Sequence, residues 1–160
     1  MMPAWSKSSI GRQMLLGGAL LLAGCQSIEK LWPGHVRTTS LDTLQVAAQP
    51  GANLNAATAL DVVFVYDPTA LTLLPQTGPD WFANKPALEN GLGRSADVLK
   101  LEIIPATLTD APLPKRHGKA IVVYSFANYL AKDGQARVDL TRYRHPVIWL
   151  TPTQITVTEK

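Results

Sequence analysis

Among 160 residues there is one thiol, Cys25, and it stands directly after Leu22-Ala23-Gly24. A thiol at that place can carry a thioether-linked lipid. The other residue types that do chemistry are poorly arranged for it. The three histidines, His35, His117 and His145, form no pair at the i, i+4 spacing of a helical metal site. A metal centre needs several converging ligands. His117 lies in the basic cluster Lys115-Arg116-His117-Gly118-Lys119, and His145 follows Arg142, Tyr143 and Arg144 before Pro146, which reads as a solvated turn. Gly91-Leu92-Gly93-Arg94-Ser95-Ala96 matches G-x-G-x-x-A in letters only. The dinucleotide fingerprint requires a strand before it and a helix after it, and here the order is reversed, as at a helix exit. There is no G-x-S-x-G nucleophile elbow, and Ser125 falls inside a strand. The expectation is a protein without catalytic residues, cofactor or metal. A hydrolase of unrecognised type stays open as a minor reading.

What positions Cys25 is the segment before it. Lys7 and Arg12 precede an apolar run from Met14 to Ala23, and small residues end the run. A positive n-region, a short apolar h-region and small residues before the cut describe an export signal. Two alternatives remain at this point. The run could be an uncleaved transmembrane anchor, although it is about half the ~20 residues needed to span a bilayer. Cys25 could also be an ordinary buried cysteine. Leu22-Ala23-Gly24-Cys25 resembles the lipobox of bacterial lipoproteins, in which the thiol is acylated, by palmitate among other chains, and the cysteine becomes the first mature residue. The resemblance implies an anchored protein lying on a membrane, since each buried CH₂ adds ~0.8 kcal/mol and a single chain is marginal. Gln26 follows Cys25 where an inner-membrane retention signal would have Asp. This implies the periplasmic face of the outer membrane.

The expected division is a signal peptide over 1–24, a lipidated tether over 25–40 and one folded domain over 41–160. Removing 1–24 takes two of the 15 Lys and Arg and leaves 13 against 12 Asp and Glu. A near-neutral mature chain offers no argument for nucleic acid. In the tether, Pro33, Gly34 and Thr38-Thr39-Ser40 break any period, and Trp32 either sits at the lipid interface or packs on the domain.

The rest reads as short strands with one helix. Leu41 to Gln49 alternates, and Pro50-Gly51 bends the chain into the small polar loop Asn53 to Thr58. Leu60 to Tyr66 is a near-continuous β-branched and aromatic run, the mark of a strand buried on both faces. Asp80 is the expected N-cap of a helix from Trp81 to about Leu92, which Pro86 must kink or divide. Strands are expected over Val98–Ile104, Ala120–Ala127, Gln135–Leu140, Pro146–Leu150 and Thr153–Thr158, with Asp133-Gly134 as a hairpin signal and Pro105–Pro114 as a long loop or edge. About six or seven short strands with regular turns predict an all-β, two-sheet sandwich with a small helical insertion. The basic groups Lys115–Lys119 and Arg142, Arg144 either touch anionic headgroups or are merely solvated. Adjacent Trp81 and Phe82 point about 100° apart on a helix. Either one of them is offered to a partner or both pack beneath the helix.

The order of parts resembles the outer-membrane lipoprotein of the type VI secretion membrane complex, the TssJ family. The residues that carry this are the lipobox, Asn53-Leu54-Asn55 after the first strand, Val62-Val63-Phe64-Val65-Tyr66, the helical Asp80-Trp81-Phe82…Leu88…Leu92, and Phe126 in a long strand. The resemblance implies a transthyretin-like β-sandwich with an extra helix. It also implies docking to the periplasmic C-terminal domain of the large inner-membrane component, TssM. The family's contact loop maps onto Asn53, Leu54, Asn55, Ala56, Ala57 and Thr58, with Trp81 and Phe82 as further candidates. This loop lacks the family's Asp- and Gly-bearing insertion, and the Pro105–Pro114 segment is longer. A pilotin-like or other envelope-assembly lipoprotein is the alternative.

Overall fold

The computed structural model describes residues 37–131 and 135–160. The export signal, Cys25, the tether up to residue 36 with Trp32 and His35, and the Asp133-Gly134 turn signal lie outside the described residues.

Two four-stranded sheets face each other. The first has the order β4 (Leu108–Asp110), β1 (Gln45–Ala48), β7 (Pro146–Leu150), β8 (Ile155–Glu159). The second runs β3 (Ala96–Ile103), β2 (Thr58–Val65), β5 (Val122–Asn128), β6 (Val138–Asp139). All neighbours are antiparallel except β1 and β7, where Val46 sits beside Ile148 in a parallel pair. Among the described residues this is the expected transthyretin-like two-sheet sandwich with one α-helix.

β2 explains itself by period two. Leu60, Val62 and Phe64 enter the core between the sheets with Val46, Val123, Ile148 and Leu150. Val63 and Val65 face the other way, into a second core under α1 (Gly78–Leu92) with Trp81, Leu92 and Phe126. Both faces are covered, so the strand shows almost no polar alternation. The exception is Asp61, which is buried on the helix side.

The helix begins three residues before the expected position. Thr77, not Asp80, is its N-cap: the Thr77 hydroxyl accepts from the Asp80 N–H at 3.2 Å and donates to the Asp80 carboxylate at 2.6 Å. Pro79 fills the first turn, where its missing N–H costs nothing. Gly78 lies so close to β5 that a Cβ there would overlap the Ala127 carbonyl oxygen. Pro86 neither ends nor divides the helix, which continues to Leu92. Pro86 is exposed, so a carbonyl that loses its intrahelical donor there can be solvated. Gly91 to Ala96 is the helix exit into β3, as expected.

The first strand is shorter than expected. Residues 39–44 are not sheet; they form a strap. Thr39 N–H donates to the Ala120 carbonyl, Ser40 N–H to Thr141, and Asp42 N–H to Arg144. These acceptors lie before β5 and between β6 and β7, so the chain enters at one end of the sandwich, called here the near pole. β1 carries it to the opposite end, the far pole.

Candidate functional site

The far pole is made by the turns β1–β2, β3–β4, β5–β6 and β7–β8. The β1–β2 turn has an unusual backbone. Asn53, Leu54 and Asn55 are consecutive non-glycine residues with φ of 48°, 56° and 66°. The left-handed region costs an ordinary side chain roughly 1–2 kcal/mol, and Asn is among the few that tolerate it. Asn53 holds the conformation. Its side-chain amide donates to the Ala57 and Asn128 carbonyls at 3.3 Å each, and its Oδ1 accepts from the Leu130 N–H at 2.7 Å. Asn53 N–H donates to the Thr151 carbonyl. One buried side chain thus locks the β1–β2 turn to the turn after β5.

The consequence is apolar surface. Leu54 is 62% exposed, Ile104 62%, Leu108 65% and Leu130 64%. All four lie at the far pole. Residues 49–58, 103–108, 128–131 and 151–154, which build its described part, include no Asp, Glu, Lys or Arg, whereas Lys132 and Asp133 of the β5–β6 turn lie outside the described residues. Of the loop residues expected to contact a partner, Leu54, Asn55 and Ala57 are exposed and Ala56 is half-buried. Asn53 and Thr58 are buried, so their side chains serve the loop, not a partner. Ile104, Leu108 and Leu130 went unread in the sequence. Each has a charged residue two positions away, Glu102, Asp110 and Lys132, so nothing local in the sequence marked them.

Tyr129 braces the same pole from beneath. Its hydroxyl lies 3.1 Å from the Thr151 carbonyl and 2.9 Å from that of Gln154. Burial pushes the phenol up to about 12 from 10.0. The neutral form therefore stabilises the fold fully below pH 10, and that contribution is lost as pH rises towards 12. Tyr129→Phe should cost about 1–3 kcal/mol at neutral pH, because two carbonyls lose a donor. It should also flatten the alkaline fall of the melting temperature, measured by circular dichroism. Part of the fall persists through Tyr66, whose phenol burial and Asp97 likewise push up.

On the flank of the sandwich, α1 places Trp81 and Lys85 over β2. The Trp81 indole donates to Asp61 Oδ2 at 2.7 Å, and Lys85 Nζ reaches the same oxygen at 2.6 Å. The Trp81 ring stacks on Phe126 with centroids 4.8 Å apart. Trp81 is fully buried, so the expectation that it might face a partner is corrected: its indole is consumed by the core and by Asp61. Phe82 is half-buried against the same core, with Lys85 Nζ 5.3 Å from its ring centroid.

The basic groups sit at the near pole. Arg116 is not simply solvated: it forks onto Asp97 with two bonds of 2.9 Å and lies 3.8 Å over the Tyr66 ring. The Arg116 fork holds the Asp97 carboxyl below its ordinary value. His117 Nδ1 contacts the Pro114 carbonyl and His145 Nδ1 the Thr43 hydroxyl. Ser125 Oγ is buried in β5 without a hydrogen-bond partner. Among the described residues no three His, Cys, Asp or Glu side chains converge as a metal site, and no helix is long and apolar enough to cross a membrane.

No family model matches the sequence, and no curated protein matches it. Solved structures do. The T6SS lipoprotein TssJ1 from Pseudomonas aeruginosa is 16% identical with a TM-score of 0.56, covering 74% of this chain and 94% of that one. Serratia marcescens Lip, a membrane-bound component of the type VI secretion system, is 14% identical with a TM-score of 0.51, covering 74% and 96%. A chain in the structure of the T6SS protein TssM C-terminal domain from EAEC is 14% identical with a TM-score of 0.51, covering 73% and 99%. At such identities the likeness is one of fold.

Proposed function

We propose that this chain is a non-catalytic, acyl-anchored lipoprotein of a type VI secretion membrane complex that docks a periplasmic partner with its far pole. In this reading 1–24 is the signal peptide, Cys25 bears the lipid, 25–40 is the tether and 41–160 the docking domain. The protein lies on the periplasmic face of the outer membrane. Its partner is a TssM-like periplasmic C-terminal domain of the inner-membrane component. The lipobox and the shared fold support the anchor and the system.

One observation carries the docking role: three successive left-handed residues hold Leu54 in the open beside the exposed Ile104, Leu108 and Leu130. Backbone strain of this kind persists only where the surroundings enforce it, and it concentrates at binding and switch regions. A leucine fixed in place binds without losing loop entropy at that moment. The contact falls to Leu54, Asn55 and Ala57, with Ile104, Leu108 and Leu130 around them.

The test is titration of residues 26–160 with a purified TssM-type periplasmic domain. Leu54→Asp should weaken binding by at least about 30-fold, the level of a central hot spot. Thermal unfolding should not change, because the side chain is exposed. Unchanged affinity in a normally folded Leu54→Asp would overturn the assignment.

A further inference from the structure

The two poles differ in charge as sharply as in polarity. Of the eleven Lys and Arg among the described residues, eight lie at the near pole. Arg116 is committed to Asp97, and Arg144 faces Asp42 at 3.9 Å. The other six, Arg37, Arg94, Lys115, Lys119, Arg142 and Lys160, are exposed, and none of their side chains has an acidic partner. Six carboxylates share this pole, four of them on exposed residues (Asp42, Asp110, Asp139 and Glu159), and each already has a partner within the domain. Asp97 holds Arg116 and the Tyr66 hydroxyl. Asp139 accepts from Thr141, Asp67 from Thr69, and Asp110 from Gln45. Glu159 accepts from the backbone N–H groups of Arg144 and His145. The sixth is Asp42. The pole therefore carries eight cations against six carboxylates, and six of the cations are exposed without an acidic partner.

The strap at Thr39 to Asp42 fixes where the chain leaves the domain, and it leaves at this same pole. From Arg37 back to Cys25 the chain can extend by at most about 40 Å. An anchor on Cys25 thus keeps the near pole within reach of the bilayer.

We infer that the near pole is an electrostatic membrane-contact face for anionic phospholipid headgroups, through Arg37, Arg94, Lys115, Lys119, Arg142 and Lys160. It rests on the lipoprotein reading, since the anchor is what brings this pole to a membrane. Each cation beside an anionic surface strengthens binding about 5-fold, and the attraction decays within a Debye length. Single contacts are weak, but after anchoring they need only orient the domain. With the near pole on the headgroups, the far pole with its exposed aliphatics points away from the membrane.

The test uses residues 26–160 without the lipid, which retain every strand, the helix and both cores. Co-sedimentation is measured with phosphatidylcholine vesicles and with vesicles containing phosphatidylglycerol, at low and high salt. Binding is expected only to the anionic vesicles, and high salt should abolish it. The triple substitution Lys115→Gln, Lys119→Gln, Arg142→Gln should weaken it about 100-fold. Lys100→Gln, which removes a single charge from the flank of the sandwich, should leave it unchanged. No binding to anionic vesicles at low salt overturns the inference, as does equal weakening by Lys100→Gln. Neither result touches the docking assignment, which is read from the partner titration. Failure of the anchor shows separately, as an unmodified Cys25 in the mass of the envelope-extracted protein.

Discussion

Trp81→Ala is expected to lower the unfolding free energy by about 3–5 kcal/mol, the range for emptying a large aromatic site in a core. Three effects add at this position. The indole is fully buried, so a cavity opens between α1 and β5. Its stacking on Phe126, worth about 0.5–1.5 kcal/mol beyond area, disappears. Asp61 also loses one of its two partners while still buried on β2. Trp81→Phe separates these effects, because it keeps much of the volume and the stacking but removes the N–H. Its cost should be about 1–3 kcal/mol, the penalty for leaving a buried acceptor short of a donor. Urea unfolding followed by far-ultraviolet circular dichroism reads both. A loss under about 1 kcal/mol for Trp81→Ala would mean that the helix does not depend on this plug.

Asn53→Ala should cost about 3 kcal/mol and remove partner binding as well. Alanine has no polar tip for a left-handed backbone, which accounts for roughly 1 kcal/mol. The remainder comes from the Leu130 N–H and the Ala57 and Asn128 carbonyls, which all lose a part-buried partner. Asn53→Gly isolates the second part, because glycine takes φ of +48° freely yet bonds nothing. Glycine should therefore recover about 1 kcal/mol of stability without recovering affinity, since the turn would no longer be locked to Leu130. A glycine variant that binds normally would show that the lock is dispensable for docking. Leu54→Asp shows the opposite pattern, with normal stability and lost affinity. The two substitutions together distinguish the scaffold of the turn from its contact.

The sandwich was legible because most strands here follow simple rules. The Leu60–Tyr66 run announced a strand covered on both sides, and Ile155 and Val157 alternated towards the core, where Ile155 is buried and Val157 partly so. The helix start was misread because Thr77 and Asp80 are both good caps by type, and only the Gly78-Pro79 pair between them decides which one acts. Asp61 inside a β-branched run was the clue to Lys85, but a strand residue does not reveal which helix will cross it. The β1–β2 turn was legible in place and not in conformation. Three left-handed residues without glycine follow no local preference; they are imposed by Asn53 reaching β5, 75 residues away in sequence. Arg116 likewise looked like one member of a basic run until folding brought Asp97 and Tyr66 beneath it.

The strap and β1 have a mechanical consequence. β1 lies between β4 and β7, paired over Gln45–Ala47 on one side and Gln45–Ala48 on the other. A pull on the chain at residue 37, against a load held at the opposite end, runs along the axis of this strand. Its interstrand bonds are then sheared together and cannot be unzipped one at a time. The strap bonds to Ala120, Thr141 and Arg144 stand in series ahead of it and give way first. They would lengthen the chain by a few residues while the sheet stays whole, and rupture would be governed by an unfolding rate, not by equilibrium stability. Under tension, the domain would act as a shear coupling with a short, sacrificial slack.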